Sequence, residues 1–300
     1  MVKKEIDWIA VIALTIAMMV WASSFIALKS TIGPMGPMSV IFGRMVVASL
    51  CFVFFIKSFM KLRFTKEDIK YLALMVVFEP CLYFLFEANA LVFTTAGQAG
   101  MIASTMPLLT AIGAGILLKE LISKKLIIGS LIALAGVVWL SLSATSEQNA
   151  SNPLLGNTLM FFAMICGSGY AISIRHLTKR FSPLFLTALQ AFIGVIFFLS
   201  FALWEYNTMT IDFNKDAILW IVYLGVVVTL GGYGLFNFAL SRIEASKASM
   251  FINLIPIFTL LLAFVILGEM LTFVEMIASS IVFLGVLITQ IPTKYFKVAK

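Results

Sequence analysis

Apolar stretches of about twenty residues alternate with short polar segments along the whole chain. An α-helix needs about 20 apolar residues to cross the hydrocarbon core of a bilayer, whereas the strands of a membrane barrel alternate over about ten residues. The pattern therefore predicts an all-α integral membrane protein with ten transmembrane helices. We place these helices at residues 8–28, 36–57, 70–92, 96–118, 125–143, 156–176, 184–204, 217–240, 246–267 and 272–290.

Turn and capping residues mark the ends of these stretches. A Gly-Pro-Met-Gly-Pro segment at 33–37 follows the first stretch, and Thr65 opens the third. At the start of the tenth, Thr272 and Glu275 have the spacing of a capping box, in which each residue satisfies a backbone N–H of the other.

Two glutamates lie just before the fifth and tenth helices. They are Glu120 and Glu269, and Ser123 and Thr272 follow as caps of the next helix. A carboxylate near the positive end of a helix stabilises it. We therefore expect both glutamates to be structural.

Composition supports a membrane location. Hydrophobic residues make up 62% of the chain, charged residues 12%, and the mean hydropathy is +1.08, all outside the range of soluble proteins. If the N-terminus is cytoplasmic, eighteen Lys and Arg lie on the cytoplasmic side, two on the other side and one within a helix. This positive-inside bias predicts an inner-membrane protein with both termini in the cytoplasm.

The net charge of +7 is carried by short loops, so we expect no nucleic-acid partner. The three cysteines lie in different helices, none at metal-ligand spacing, so we expect no metal site and no cofactor. One histidine and the absence of a His-Glu-x-x-His motif or a phosphate-binding loop disfavour an enzyme. An integral-membrane enzyme and a passive facilitator of small metabolites remain the alternatives to a transporter.

The second half of the chain repeats the first. With an offset of 149 residues, 15 of the 50 residues from 90 to 139 are identical to their counterparts. Pro107 aligns with Pro256, and Glu120 with Glu269. Because each repeat holds five helices, the second must enter the membrane from the opposite side, which is the architecture of transporters with two similar gates. We therefore expect two inverted five-helix repeats, at 1–145 and 153–292.

Several of these features resemble the drug/metabolite transporter superfamily, EamA-type. They are the prolines midway along the fourth and ninth helices, the helix endings Leu118-Lys119-Glu120 and Leu267-Gly268-Glu269, Trp21 and Arg44. The resemblance implies a central cavity lined by the first four helices of each repeat, with the fifth and tenth helices at the periphery. It also implies export of amino acids or other small metabolites, by exchange or with protons. The acidic residues of the third helix depart from the superfamily pattern.

Three charged residues lie deep within the predicted helices: Arg44, Glu79 and Glu87. A charge at the bilayer centre costs about 2.5–3.5 kcal/mol on insertion scales, so each needs a function or a partner. Glu79, Tyr83 and Glu87 are four residues apart and share one stripe of the third helix, where Pro80 predicts a kink. We interpret Arg44 as a structural ion-pair partner of one glutamate. The other glutamate is then free to carry a coupling proton or to bind a substrate ammonium group.

Further polar side chains on the cavity helices are candidates for substrate hydrogen bonds and cation–π contacts. These are Trp21, Asn89, Gln98, Ser104, Asn237 and Asn253, with Tyr170 and Tyr233 as additional candidates. Pro107 and Pro256 are expected to bend gating helices. The small residues Gly129, Ala133 and Gly136 permit close helix contact, so a homodimer through the fifth or tenth helix is also expected.

Overall fold

The computed structural model describes residues 7–59, 62–120, 124–143 and 150–290. Ten helical segments follow one another in these ranges, and we number them in chain order. They are α1 (Trp8–Met35), α2 (Pro37–Phe55), α3 (Lys66–Phe93), α4 (Ala96–Leu117), α5 (Lys124–Ser143), α6 (Pro153–Leu177), α7 (Pro183–Thr208), α8 (Lys215–Arg242), α9 (Ala245–Leu267) and α10 (Phe273–Gln290).

The described helices confirm the predicted all-α membrane architecture. Nine of them are long and apolar enough to cross a membrane, and α10 is apolar over Phe273–Gly285. Helix starts carry the predicted caps: the Thr65 side chain accepts from the Asp68 N–H, and Thr272 and Glu275 form their capping box. The predicted Ser123 cap lies outside the described residues.

Four helices are interrupted midway, in positions that correspond between the repeats. In α3 the interruption is a π-helical turn, Val77–Leu82, within which Glu79 is extended (φ −152°, ψ 120°). In α8 it is the π-helix Leu224–Tyr233. The kink predicted from Pro80 is confirmed, because a residue without an N–H cannot continue the hydrogen-bond ladder.

The interruptions of α4 and α9 lie beside their prolines. Helix α4 breaks after Ala103 and restarts at Met106, with Pro107 in the first turn. Helix α9 passes through the 3₁₀ turn Met250–Leu254 and restarts with Pro256 in its first turn. Proline suits this position because its ring fixes a helical φ where no N–H is needed.

In a ten-helix topology successive helices cross the membrane in alternating directions, and the contacts between helix ends agree with this. The start of α1 meets the end of α8 through Asp7 and Arg242, and the start of α3 meets the chain after α6 through Asp68 and Arg180. We term this the inner face. On the opposite, outer face, the end of α7 meets the start of α2 through Glu205.

The fifth and tenth helices pack against each other within one chain. A Cβ added at Gly136 would lie 2.8 Å from the Val282 nitrogen, and one added at Gly285 would lie 2.4 Å from the Ala133 nitrogen. The small-residue face that we expected to be free for a second copy is therefore used inside the protein. A homodimer through other faces of these helices stays a prediction.

Candidate functional site

A small cavity lies between the two repeats, midway along the helices. Its walls come from α1, α3, α4, α6, α8 and α9, so α5 and α10 are outside it as expected. The volume is about 20 Å³, enough for one water molecule and too small for a metabolite. The lining side chains of interest here are Trp21, Ser24, Glu79, Tyr83, Glu87, Tyr170 and Tyr233.

The two acidic side chains of α3 meet at this cavity. Glu79 is 2% exposed and Glu87 is 3% exposed. Tyr83 donates a hydrogen bond of 2.9 Å to Oε1 of Glu87. The other oxygen of Glu87 and Oε1 of Glu79 are buried and have no hydrogen-bond partner in the part of the chain that the structure describes. The predicted stripe is thus brought together, although the helix is interrupted at Glu79.

Aromatic rings form another part of the wall. The Trp21 ring lies 4.8 Å from Tyr233 and 4.7 Å from Phe236, between centroids. Tyr170 contacts Tyr233 edge-on at 6.1 Å. The Trp21 indole nitrogen is buried without a partner, so it adds one N–H donor to the two carboxyl groups. Such a set of rings and carboxylates suits a small cationic group.

Arg44 lies behind the cavity and does not make the predicted ion pair. Its Nε donates to Oγ1 of Thr229 at 2.7 Å, and its guanidinium carbon stands 4.4 Å from the centroid of the Phe84 ring. Among the described residues it forms no ion pair within 4.0 Å of Glu79 or Glu87. A hydroxyl acceptor and a ring face take the place of the carboxylate partner. The expectation of a direct ion pair is wrong.

Other sequence candidates lie outside the cavity wall. Asn89 donates to the Leu85 carbonyl at 2.7 Å, and Ser104 donates to the Met101 carbonyl at 2.7 Å. Both side chains thus bond to a backbone carbonyl three or four residues earlier in their own helix, as Ser and Asn side chains commonly do. Asn253 is buried in the interruption of α9.

Asn237 belongs to a buried polar network next to the cavity. Its Oδ1 lies 3.0 Å from the Tyr170 hydroxyl, which is also 3.0 Å from Oε1 of Gln190. The Nδ2 of Asn237 donates to the Thr187 hydroxyl at 2.9 Å. The network joins α6, α7 and α8, so Asn237 supports the Tyr170 wall from behind.

Gln98 belongs to the outer face. Its Nε2 donates to Glu275 at 2.8 Å, and its Oε1 accepts from Asn157 at 2.9 Å. It also lines a separate outer cavity of about 650 Å³ with Glu269 and Thr272. Gln98 therefore lies on a helix that lines the central cavity, but at its outer end and not in the cavity wall.

Sequence reasoning missed Thr229, Phe84 and Gln190. Thr229 is the hydrogen-bond acceptor of an arginine 185 residues earlier in the chain, and nothing near it in sequence signals that role. Phe84 is one of 28 phenylalanines in the chain, so only the folded structure shows that its ring faces Arg44.

Both faces are closed by contacts between the repeats. On the inner face, Arg180 and Asp68 lie 2.6 Å apart and Arg242 and Asp7 lie 2.7 Å apart. The hydrogen bond from Arg242 holds the pKa of Asp7 below its usual value, so this pair stays charged at neutral pH. On the outer face, Glu205 accepts from the N–H groups of Met38 and Ser39 at the start of α2.

Glu120 and Glu269 are caps, but of other helices than expected. Glu120, after α4, accepts from the N–H groups that open α9. Glu269, after α9, accepts from the N–H groups that open α4. The expectation that they serve α5 and α10 is wrong, because the chain turns each carboxylate toward the opposite repeat.

Comparison with known proteins agrees with this architecture. A profile of the EamA-like transporter family matches residues 8–142 and, a second time, residues 154–291. The chain is 30% identical over 206 residues to the uncharacterized transporter YetK of Bacillus subtilis (strain 168), a match that covers 67% of this chain and 62% of YetK. It is 26% identical over 201 residues to a probable amino-acid metabolite efflux pump of Salmonella typhimurium, with 64% of this chain and 67% of the pump covered.

A solved crystal structure shares the fold. It superposes with a TM-score of 0.68 at 17% identity, over 94% of this chain and 96% of the other. The family profile matches twice, once in each half, and the two matches together cover most of the chain. This multi-pass membrane protein therefore belongs to the EamA-like transporter family.

Proposed function

We propose that the protein is a secondary active transporter that exports amino acids or similar small polar metabolites by alternating access. The observation that carries the proposal is the small cavity between the repeats, where Glu79 and Glu87 each have a buried oxygen without a hydrogen-bond partner among the described residues. A carboxylate in low dielectric needs a proton or a cation beside it. A transport site supplies both in turn.

The small cavity is consistent with an occluded state. Substrate enters when the two repeats separate at one face and leaves when they separate at the other, around a site near the bilayer midplane. The closed contacts at both faces and the breaks in α3, α4, α8 and α9 support this proposal. The bends predicted at Pro107 and Pro256 are then the places where the gating helices flex.

Each wall residue has a proposed role. Glu79 or Glu87 carries the coupling proton or meets the substrate ammonium group, and Tyr83 orients Glu87. Trp21 offers its ring face to a cation and its N–H to an oxygen of the substrate. The amino-acid preference rests on the similarity to the probable efflux pump and on the affinity of this wall for an ammonium group.

We also propose an inner-membrane location with both termini in the cytoplasm, from the distribution of Lys and Arg. The relatives named above are transporters, in keeping with a protein that is not an enzyme. A passive facilitator would differ in one respect, because it would not concentrate substrate against a gradient.

The test uses purified protein in liposomes, a panel of amino acids, amines and carboxylates, and an imposed pH gradient. Glu79→Gln keeps the shape of the side chain but cannot cycle a proton. If Glu79 carries the proton, gradient-driven transport fails while substrate-for-substrate exchange survives. The exposed Glu67, changed to Gln, is the matched control and leaves both modes intact.

The other outcomes are equally informative. Loss of both modes assigns substrate binding to Glu79. Unchanged gradient-driven transport removes Glu79 from the mechanism and moves the role to Glu87, tested by Glu87→Gln. If no substrate in the panel is concentrated under any gradient, active transport of these classes is wrong.

A further inference from the structure

We infer that Glu120 and Glu269 are paired latches, each of which holds the central site closed at its own face. Release of the Glu120 latch opens the site toward the inner face, and release of the Glu269 latch opens it toward the outer face. The inference rests on the alternating-access mechanism proposed above and adds the contacts that govern it.

The two glutamates make equivalent bonds across the repeats. At the inner face, the oxygens of Glu120 accept from the N–H groups of Ala245 at 3.0 Å and Ser246 at 2.9 Å. At the outer face, those of Glu269 accept from Ala96 at 3.1 Å and Gly97 at 3.0 Å. Each carboxylate thus satisfies two adjacent N–H groups that the helix itself leaves unpaired.

The turns that hold the two carboxylates also correspond. Lys119 and Gly268 both have left-handed backbones, with φ of 56° and 67°. The N–H of Glu120 reaches the Ala114 carbonyl at 3.2 Å, and that of Glu269 reaches the Ala263 carbonyl at 3.2 Å. Every one of these positions is related by the 149-residue offset of the repeat. The same device is therefore built once at each face.

The geometry does not allow both latches to persist while the repeats rock. Helix α4 has 22 residues, so the latches at its two ends are about 33 Å apart and each is about 16 Å from the centre. A rotation of about 10° at that radius moves one repeat by about 3 Å relative to the other. A hydrogen bond of 3 Å does not survive such a shift. Opening at one face therefore breaks the latch there.

The latches are unequal in their further contacts. The Ser246 hydroxyl donates a third bond, of 2.6 Å, to Oε2 of Glu120. The equivalent residue at the outer face is Gly97, which has no side chain to donate. The inner latch therefore has a hydroxyl bond that the outer latch lacks, while at the outer face the charge of Lys29 acts on Glu269.

The experiment reads which face is open without any substrate. Cys51, Cys81 and Cys166 are replaced by Ala, and Ala103 in the cavity wall is replaced by Cys as a reporter. A membrane-impermeant maleimide is then applied to right-side-out and inside-out vesicles. The parent should label slowly from both sides.

Glu120→Gln and Glu269→Gln change one latch each. An amide has one acceptor oxygen, and its NH₂ group faces an N–H that the second oxygen used to accept. We expect labelling through the inner face to rise about tenfold in Glu120→Gln and labelling through the outer face to rise about tenfold in Glu269→Gln, the effect of losing one charge-assisted hydrogen bond. Glu244→Gln, next to the inner latch and ion-paired with Lys247 of its own repeat, should change neither.

Two milder variants keep the test sound if the glutamine variants do not fold. Ser246→Ala removes only the third bond and should raise labelling through the inner face severalfold. Gly97→Ser should lower labelling through the outer face relative to Gly97→Ala, because a Cβ there would lie 3.4 Å from Oε2 of Glu269 and its hydroxyl can complete the outer latch.

Sided responses support the inference, even if no transported substrate is found. Equal changes at both faces, responses at the opposite face, or no response in any of the four latch variants overturn it. If sided labelling is absent while gradient-driven transport is intact, the latches are wrong and the proposed function stands. If labelling is sided and no gradient drives transport, the proposed function is wrong and the latches stand.

Discussion

The contact between α5 and α10 at Gly285 leads to the most direct test of the fold. A Cβ at this position would lie 2.4 Å from the Ala133 nitrogen and 2.5 Å from the Gly129 carbonyl oxygen. Non-bonded atoms settle at about 3.5–4.0 Å, so Gly285→Ala must push the helix backbones apart by about 1 Å. Overpacking of this kind costs about 1–3 kcal/mol. The better helix propensity of Ala returns at most about 1 kcal/mol.

We therefore expect Gly285→Ala to lower the free energy of unfolding by about 1–2 kcal/mol. The assay is equilibrium unfolding of the purified protein in mixed micelles, followed by tryptophan fluorescence, with the molecular mass measured in parallel by light scattering. Gly234→Ala, within α8, is the control, because a Cβ there meets nothing within 4 Å. It should leave stability unchanged or raise it slightly.

Two results would refute this reasoning. An unfolding free energy equal to that of the parent would mean that the helices are not in close contact at Gly285. A fall in molecular mass without a change in unfolding would place this face between two copies of the chain. The homodimer predicted through α5 or α10 would then be the better account of the small residues.

Two further predictions concern Arg44 and topology. Thr229→Val removes the hydroxyl that accepts from Arg44 and should lower the free energy of unfolding by about 1.5–3 kcal/mol. Arg44→Ala should lower it at least as far. If both variants are as stable as the parent, the assigned contact is contradicted. In a cysteine-free background, Asn214→Cys should react with an impermeant reagent from outside intact cells, whereas Arg63→Cys and Lys179→Cys should not. Labelling of all three from one side would contradict the ten-helix topology.

The fold could be predicted in large part because membrane helices are specified by local composition. A run of twenty apolar residues has few alternatives in lipid. The pairing of the repeats also followed from sequence, because matched residues such as Pro107 and Pro256 stand at equal spacing. Interruptions were predictable only where proline marks them. The π-helix of α8, which holds Thr229, has no proline to announce it.

The site was predictable in its charges and not in its partners. Glu79, Tyr83, Glu87 and Trp21 do line one cavity, because a buried charge in a membrane helix has few other uses. Arg44 shows the limit. A guanidinium group is satisfied by a hydroxyl and a ring as well as by a carboxylate, so the sequence did not identify which of these it meets.

The left-handed turn after α4 has a backbone cost that its counterpart after α9 avoids. At the outer face the turn uses Gly268, which adopts a positive φ without steric cost. At the inner face the same turn carries Lys119, for which a left-handed backbone costs about 1–2 kcal/mol. Lys119 is also one of the basic residues from which we propose that this face is cytoplasmic. The two copies of one turn thus differ in their backbone cost, since the outer copy uses a residue suited to a left-handed backbone and the inner copy retains strain at a lysine.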